Sequence, residues 1–359
     1  MRDQGHDINV FDQEAAKAYP PGKLHRFIAR QYFSRLHETY GAEADTYLGY
    51  ARERVETAWA AARHSRRAAV THVHCHDPVL AHAFHFFSRW YVPSVRWGFT
   101  AHGFGRFVQS HEGVRLPGPV IQHLQAWENA ASRNANWVMV PSHAGLAKMA
   151  EEMGLGSPLP RWYVVPHARP EIPPADGREV RQQLGLNDEA LILAVGQLIP
   201  IKRFHLLLQA VSALVDLRPH VLILGEGQEE ITLQQLAEKL GLADRLHITT
   251  TDAIAPYLAA ADLYVSLSST ESYGMANCEA IAAGLPAVCT AVGAVPEVVG
   301  DGAWLVGESQ QEVVAAINTL LRSKDASAAL STRARLRTSE WWSANEMAKE
   351  VERIYLLAE

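Results

Sequence analysis

Two carboxylates flank a glycine in the stretch Glu271-Ser272-Tyr273-Gly274-Met275-Ala276-Asn277-Cys278-Glu279. The stretch follows an apolar run, 263–267, and a Ser268-Ser269-Thr270 turn, and it opens a helical pattern that Gly284 and Pro286 end. Free amides at such a helix start, approached over Gly274 with no side chain in the way, suit an anion such as a diphosphate. Glu279 lies one turn inside and is placed to accept from a pair of vicinal hydroxyls; Glu271, in the preceding loop, could grip a second set. Spacing alone allows equally well that Glu271 caps the helix and that Glu279 is a solvated surface residue.

A second stretch, Val195-Gly196-Gln197-Leu198-Ile199-Pro200-Ile201-Lys202-Arg203, ends a strand pattern in glycine and puts a lysine just before a helix. A cation there works against the helix dipole, so its place is better explained by a phosphate at the end of a parallel strand. Histidines make a third group. His72, His74 and His76 alternate along a strand pattern and so face one way, with Asp77, His82 and His85 beyond. A His-x-His strand is what a zinc amidohydrolase uses, and imidazoles at this spacing can chelate. That chemistry also needs ligands at the ends of later strands, and the second half of the chain offers no such series.

These residues sit on alternating elements. In the second half short apolar runs recur at 191–195, 221–224, 263–267, 287–289 and 304–306, with helical spacing between them at Leu206, Leu207, Ala210, Val211 and Leu214 and at Leu233, Leu236 and Leu240. Runs apolar on both faces imply a parallel sheet covered by helices, a doubly wound α/β arrangement. The first half repeats the plan less clearly, with helices over about 24–39 and 43–67 and strands at 69–74, 95–100, 137–140 and 162–165. Pro166 to Gly177 reads as a hinge. The boundaries predicted are a first domain over 1–167, completed by an amphipathic C-terminal helix over 343–359, and a second over 168–342. Two such sheets joined by a hinge put the expected ligand in a cleft between them.

A chain of 359 residues has the length of two domains, and 48% hydrophobic with 20% charged residues is the composition of a globular protein. The mean hydropathy is -0.09. Lys and Arg number 33 against 39 Asp and Glu, a net charge of -6, so no basic nucleic-acid footprint exists at whole-chain level. Cys75, Cys278 and Cys289 make neither a disulfide framework nor a four-thiolate zinc site. No secretory leader pattern or membrane-spanning run is apparent, and a cytoplasmic location is expected.

Gly196 to Arg203, Gly225-Glu226-Gly227, Ala260-Ala261-Asp262, Glu271 to Glu279 and Gly293-Ala294-Val295-Pro296-Glu297 occur in the order and spacing of the retaining GT-B glycosyltransferases of family 4, which the chain resembles. Glu271 and Glu279 match that family's E-x7-E motif. The resemblance is close over about 137–359 and looser before it, at Val73 to Asp77, Phe99 to Gly103, Glu128, Val140-Pro141-Ser142 and Val164-Val165-Pro166. It implies the GT-B fold, two Rossmann-like doubly wound domains facing a central cleft, and a nucleotide-sugar donor held mainly by the C-terminal domain. By the same resemblance Glu279 would bind ribose hydroxyls, Glu271 would bind sugar hydroxyls, and Lys202 would meet the diphosphate, where charge develops as it departs. The amides of Gly274, Met275 and Ala276 would contact sugar and phosphate, with Gly196, Gln197 and Tyr273 in the same donor site. His102 would stand near the anomeric carbon as a catalytic group beside Lys202 and Glu271. No Asp-x-Asp pair occurs, so neither metal nor other cofactor is expected.

The chain departs from the family pattern at three places. Gln197 stands where an arginine is usual, and His167-Ala168 where Asn-Gly is usual. Gly5-His6-Asp7-Ile8-Asn9-Val10-Phe11 resembles the family's second strand, not its first. Three readings are open: a late start codon, residues 8–11 serving as the first strand, or an impaired protein that binds a nucleotide sugar or serves as a partner subunit. Arg26, Arg30 and Arg35 interleave with Phe27, Ile28, Tyr32, Phe33 and Leu36. Such a helix either packs its apolar side on the sheet or makes a peripheral contact with anionic lipid at the inner face of the membrane.

Overall fold

The computed structural model describes residues 6–20, 30–31, 34–35, 37–39, 41, 45–105 and 118–358. The chain divides into two compact units, Met1–Pro166 with Ala344–Glu359, and His167–Ser343. Most of the basic stretch at 24–39 lies outside the described residues; Arg30 and Arg35 are described and exposed.

The first unit is built on a parallel sheet of four strands, β1 (His72–Cys75), β2 (Arg96–Thr100), β3 (Trp137–Val140) and β4 (Trp162–Val164), in the order β1-β2-β3-β4. Asp77 ends β1 and starts a helix at Pro78: its carboxylate accepts from the Leu80 amide at 2.6 Å and pairs with Arg54 at 3.1 Å. Ser142 does the same after β3, accepting from the Gly145 amide at 3.0 Å. Phe84, Phe99, Val138, Val140 and Met149 lie in the core of this unit, and Glu128 is buried in the helix Gly118–Asn134. The helix Ala344–Leu357 belongs to this unit and reaches the sheet through Tyr355, whose ring stacks on His72.

Residues 8–11 form no strand, which corrects the possibility that they supply the first one. Val10 is 74% exposed, and Phe11 packs against Tyr19 and His64 rather than along the sheet. An alternating pattern with one outward apolar residue buries too little to hold an added strand.

The second unit carries six parallel strands: β5 (Leu191–Val195), β6 (His220–Leu224), β7 (Leu246–Thr249), β8 (Leu263–Ser266), β9 (Ala287–Thr290) and β10 (Trp304–Val306), in the order β10-β9-β8-β5-β6-β7. Residues 191–194 of β5 have no exposed surface, as expected for a strand with helices on both faces. From β5 the chain proceeds to β6 on one side and later returns to β8 on the other. The order reverses there, so the loops leaving β5 and β8 run apart and open a crevice at their carboxyl ends. No helix among the described residues is long and apolar enough to cross a membrane.

Candidate functional site

The crevice at the β5–β8 reversal collects the two stretches that the sequence singles out. Lys202 ends a short 3-10 turn, Pro200–Lys202, after β5, and Glu271 lies in the loop after β8. Their side chains meet: Lys202 Nζ donates to Glu271 Oε1 at 2.6 Å, and Ser268 Oγ donates to the same oxygen at 2.8 Å. Lys202 and Glu271 keep 23% and 12% of their side-chain surface, so the pair is largely enclosed yet still accessible. An opposite-charge pair held this way can exchange partners when an anion approaches the lysine and a hydroxyl the carboxylate.

Glycines explain how the loops come so close. Gly196 has φ +151°, and a Cβ there would sit 3.1 Å from Lys202 Cε. At Gly225 a Cβ would lie 1.9 Å from the Gly196 carbonyl oxygen, inside contact distance, so the loop after β6 can seat only with glycine there. The Leu198 amide then donates to the Glu226 carbonyl at 2.8 Å. The Glu271 loop is braced from the other side. Gly293, at φ +56°, has room for no side chain, because a Cβ would lie 2.2 Å from the Glu271 carbonyl oxygen. The Ala294 amide donates to that oxygen at 3.0 Å, and Thr290 Oγ1 donates to the Ser268 carbonyl at 2.7 Å. Ser269 joins the two stretches, its amide donating to the Ile201 carbonyl at 2.8 Å.

Gly274, at φ +81°, turns the chain into the helix Met275–Ala282, and no side chain caps that end. Its first amides are therefore without intrahelical partners, and Met275 is 41% exposed beside them. Glu279 lies one turn further on, half-buried, and burial raises its carboxyl above the usual range. Beneath the helix Tyr264 is fully buried and donates to Asn277 Oδ1 at 2.9 Å; burial first, and then nearby groups including Glu271 and Glu279, hold its hydroxyl well above the usual phenol range.

Three further residues belong to these loops or border them. Gln197 is exposed. Tyr273 is buried, its hydroxyl donating to the His167 carbonyl at 3.3 Å and its ring against the His167 imidazole, so its side chain secures the loop. Arg203, missed as a structural residue, adopts a left-handed backbone (φ +50°) and pairs with Glu308 at 2.8 Å. The three cysteines are buried and unbridged, and burial pushes the Cys278 thiol up to about 12.

His102 and the histidine row lie in the first unit. His72, His74 and Trp137 cluster around Tyr355. The Trp137 indole N–H donates to His74 Nδ1 at 3.3 Å, which makes that nitrogen an acceptor; Nε2 then carries the proton and donates to Thr100 Oγ1 at 2.7 Å. Tyr355 also donates to Nδ1, at 2.7 Å. Burial, with the neighbouring His76 and His102, lowers His74 to about 3. His76 and His102, just past the ends of β1 and β2, face each other at 3.1 Å. No group of three or more His, Cys, Asp or Glu among the described residues is arranged to hold a metal ion. With His74 enclosed by its bonds and the strands forming an open sheet, the zinc amidohydrolase reading has no support.

Residues 176–337 match the family model described as glycosyl transferases group 1. Among characterised relatives, N-acetyl-alpha-D-glucosaminyl L-malate synthase of Bacillus anthracis is 30% identical over 187 residues, 50% of this chain and 49% of that protein. D-inositol 3-phosphate glycosyltransferase of Streptomyces avermitilis is 38% identical over 145 residues, 36% of this chain and 31% of that protein. The chain thus spans about half or less of the length of the relatives it matches. Among solved structures, sucrose-phosphate synthase from Thermosynechococcus elongatus superposes with a TM-score of 0.73 at 19% identity, covering 86% of this chain and 78% of that one. HepE of Anabaena, in complex with UDP and glucose, gives 0.71 at 19% identity, covering 83% and 80%. At such identities the likeness is one of fold, and the fold is GT-B.

Proposed function

We propose, from the premise that residues 176–337 belong to the group 1 glycosyl transferases, that this protein moves a sugar from a nucleotide-sugar donor to an acceptor with retention of configuration and without a metal ion. The observation that carries this reading is the Lys202–Glu271 pair at the strand reversal, beside a helix whose uncapped amides begin at Gly274. An incoming diphosphate competes for Lys202 and releases Glu271 to accept from sugar hydroxyls, so one exchange prepares both subsites. The amides of Gly274, Met275 and Ala276 extend the anion site, and Glu279 takes the ribose hydroxyls. In the transfer the bond from the anomeric carbon to the diphosphate oxygen breaks with its electron pair going to that oxygen, and the acceptor oxygen bonds to the carbon and passes its proton to the departing diphosphate. Lys202 offsets the charge that grows on the departing diphosphate, the kind of interaction that accelerates a step because it strengthens in the transition state. His102, in the first unit, is a further group proposed for the reaction. The exposed, uncharged Gln197 favours a second reading, a homologue that binds the donor without turning it over.

A screen of nucleotide sugars by thermal shift tests the proposal, because a ligand that binds only the folded protein raises its melting temperature. UDP-glucose, the ligand in one of the HepE structures, is a natural first member. At least one donor should raise the melting temperature of the wild type, and Lys202→Met should abolish the rise. A panel in which none does so would refute the reading, and binding without any sugar transfer would select the second one.

A further inference from the structure

We infer that Asn277 is a positioning residue beneath the diphosphate subsite, its amide oriented by Tyr264 so that the N–H end of a fixed dipole backs the first amides of the helix Met275–Ala282; this rests on the reading of that helix start as the place of the donor diphosphate. Asn277 is the third residue of the helix, a position from which a side chain reaches back toward the N-cap. It is 1% exposed, and its Nδ2 makes no hydrogen bond among the described residues. That nitrogen lies against the turn: a Cβ at Gly274 would stand 2.8 Å from it. The other end of the amide is taken, because the Tyr264 hydroxyl donates to Oδ1 at 2.9 Å. Tyr264 has no exposed surface and bonds to Ser266 as well, so the hydroxyl that sets the amide is itself fixed from β8.

A buried polar hydrogen left unpaired costs stability, and such groups are rare in folded proteins. At Asn277 the unpaired hydrogen has an electrostatic role. With its oxygen turned down to Tyr264, the amide presents its positive end to the turn at which the anion would arrive, in the same sense as the dipole of the helix. A fixed dipole in an enclosed region acts more strongly than it would in water. The first turn of the helix carries no acidic residue. A carboxylate reaching back from the third position, a common arrangement in helices, would repel a diphosphate. Asn277 has the reach without the charge, and it needs no reorganisation as charge grows on the departing diphosphate.

The test uses the full chain and calorimetric titration with UDP and UMP, or with the di- and monophosphate of the nucleoside that the donor panel selects. UMP lacks the terminal phosphate that the helix start is assigned. The double variant Tyr264→Phe/Asn277→Leu removes the donor, the acceptor and the unpaired N–H together, and should melt no lower than the wild type. It should bind UDP about fivefold more weakly, in the range of a helix-dipole interaction, and leave UMP within about twofold. Tyr264→Phe alone frees the amide to turn, and should lose a smaller share of the UDP affinity, again without affecting UMP. With a competent donor the double variant should also lower kcat, since the charge on the diphosphate is greatest as it departs. UDP affinity unchanged in either variant, folded by its melting temperature, overturns the inference. An equal loss for UMP and UDP does the same, because packing alone would then account for it. If the wild type binds neither, the reading of the helix start as a diphosphate subsite fails, and the inference with it.

Discussion

Acidification should destabilise the first unit through His74, by an amount set by the hydrogen bonds around its ring. In the unfolded chain the imidazole titrates near 6.5, whereas in the folded protein burial and its histidine neighbours lower it to about 3. The lone pair of Nδ1 already accepts from Trp137 and Tyr355, so a proton arriving there displaces both donors and leaves a charge under the sheet. The folded state therefore binds fewer protons than the unfolded one, and stability falls as pH drops from about 6.5 toward 3. Each pH unit in that window costs about 1.4 kcal/mol for one group. Between pH 7 and pH 5 the loss comes to about 2 kcal/mol. Urea unfolding followed by tryptophan fluorescence would measure it, since Trp59, Trp90, Trp97, Trp127, Trp137 and Trp162 all lie in the first unit. In His74→Gln, which can still donate to Thr100 but cannot titrate, the difference between the two pH values should shrink by that amount, whatever the variant's own stability. Equal acid losses in wild type and His74→Gln would refute the reasoning.

Other outcomes follow from the second unit. Gly293→Ala should cost roughly 1–3 kcal/mol and weaken nucleotide-sugar binding together with stability, because a Cβ at that positive φ collides with the Glu271 backbone; urea titration and calorimetric binding check both, and a neutral result would contradict the brace. Gln197→Arg should tighten nucleoside-diphosphate binding by about 1 kcal/mol, less at high salt, since it adds a cation to the loop that carries Lys202. Unchanged affinity at two ionic strengths would place residue 197 away from the phosphates. Transfer activity should survive EDTA, given a cation and helix amides at the diphosphate; a complete loss that Mg²⁺ restores would reject metal independence.

How far the sequence could be read depended on burial. β5, β6 and β9 were legible because both faces are enclosed and the runs are apolar throughout. β7 escaped notice: it is an edge strand, and Leu246-His247-Ile248-Thr249 is half-polar with no fully buried residue. The carboxylates and the lysine stood out by type and by the glycine between them. Their direct bond did not, because Lys202 and Glu271 are 69 residues apart and meet only where the strand order reverses. The crowding that demands glycine at 225 and 293 depends on neighbouring loops, and the buried place of Tyr273 on the His167 carbonyl, so neither has a local signature. At His74 the alternation revealed a shared face but not the partners that occupy it, one of which comes from the far end of the chain.

Calorimetric titration of Glu279→Ala and Glu271→Ala, each with UDP and with UDP-glucose or the donor that the panel selects, tests the division of labour at the site most directly. Glu279→Ala should weaken both ligands about tenfold or more, through loss of a charge-assisted bond to the ribose. Glu271→Ala should leave UDP binding near that of the wild type, or tighten it slightly as Lys202 is released, while weakening the nucleotide sugar. Equal losses for both ligands in both variants would contradict the account.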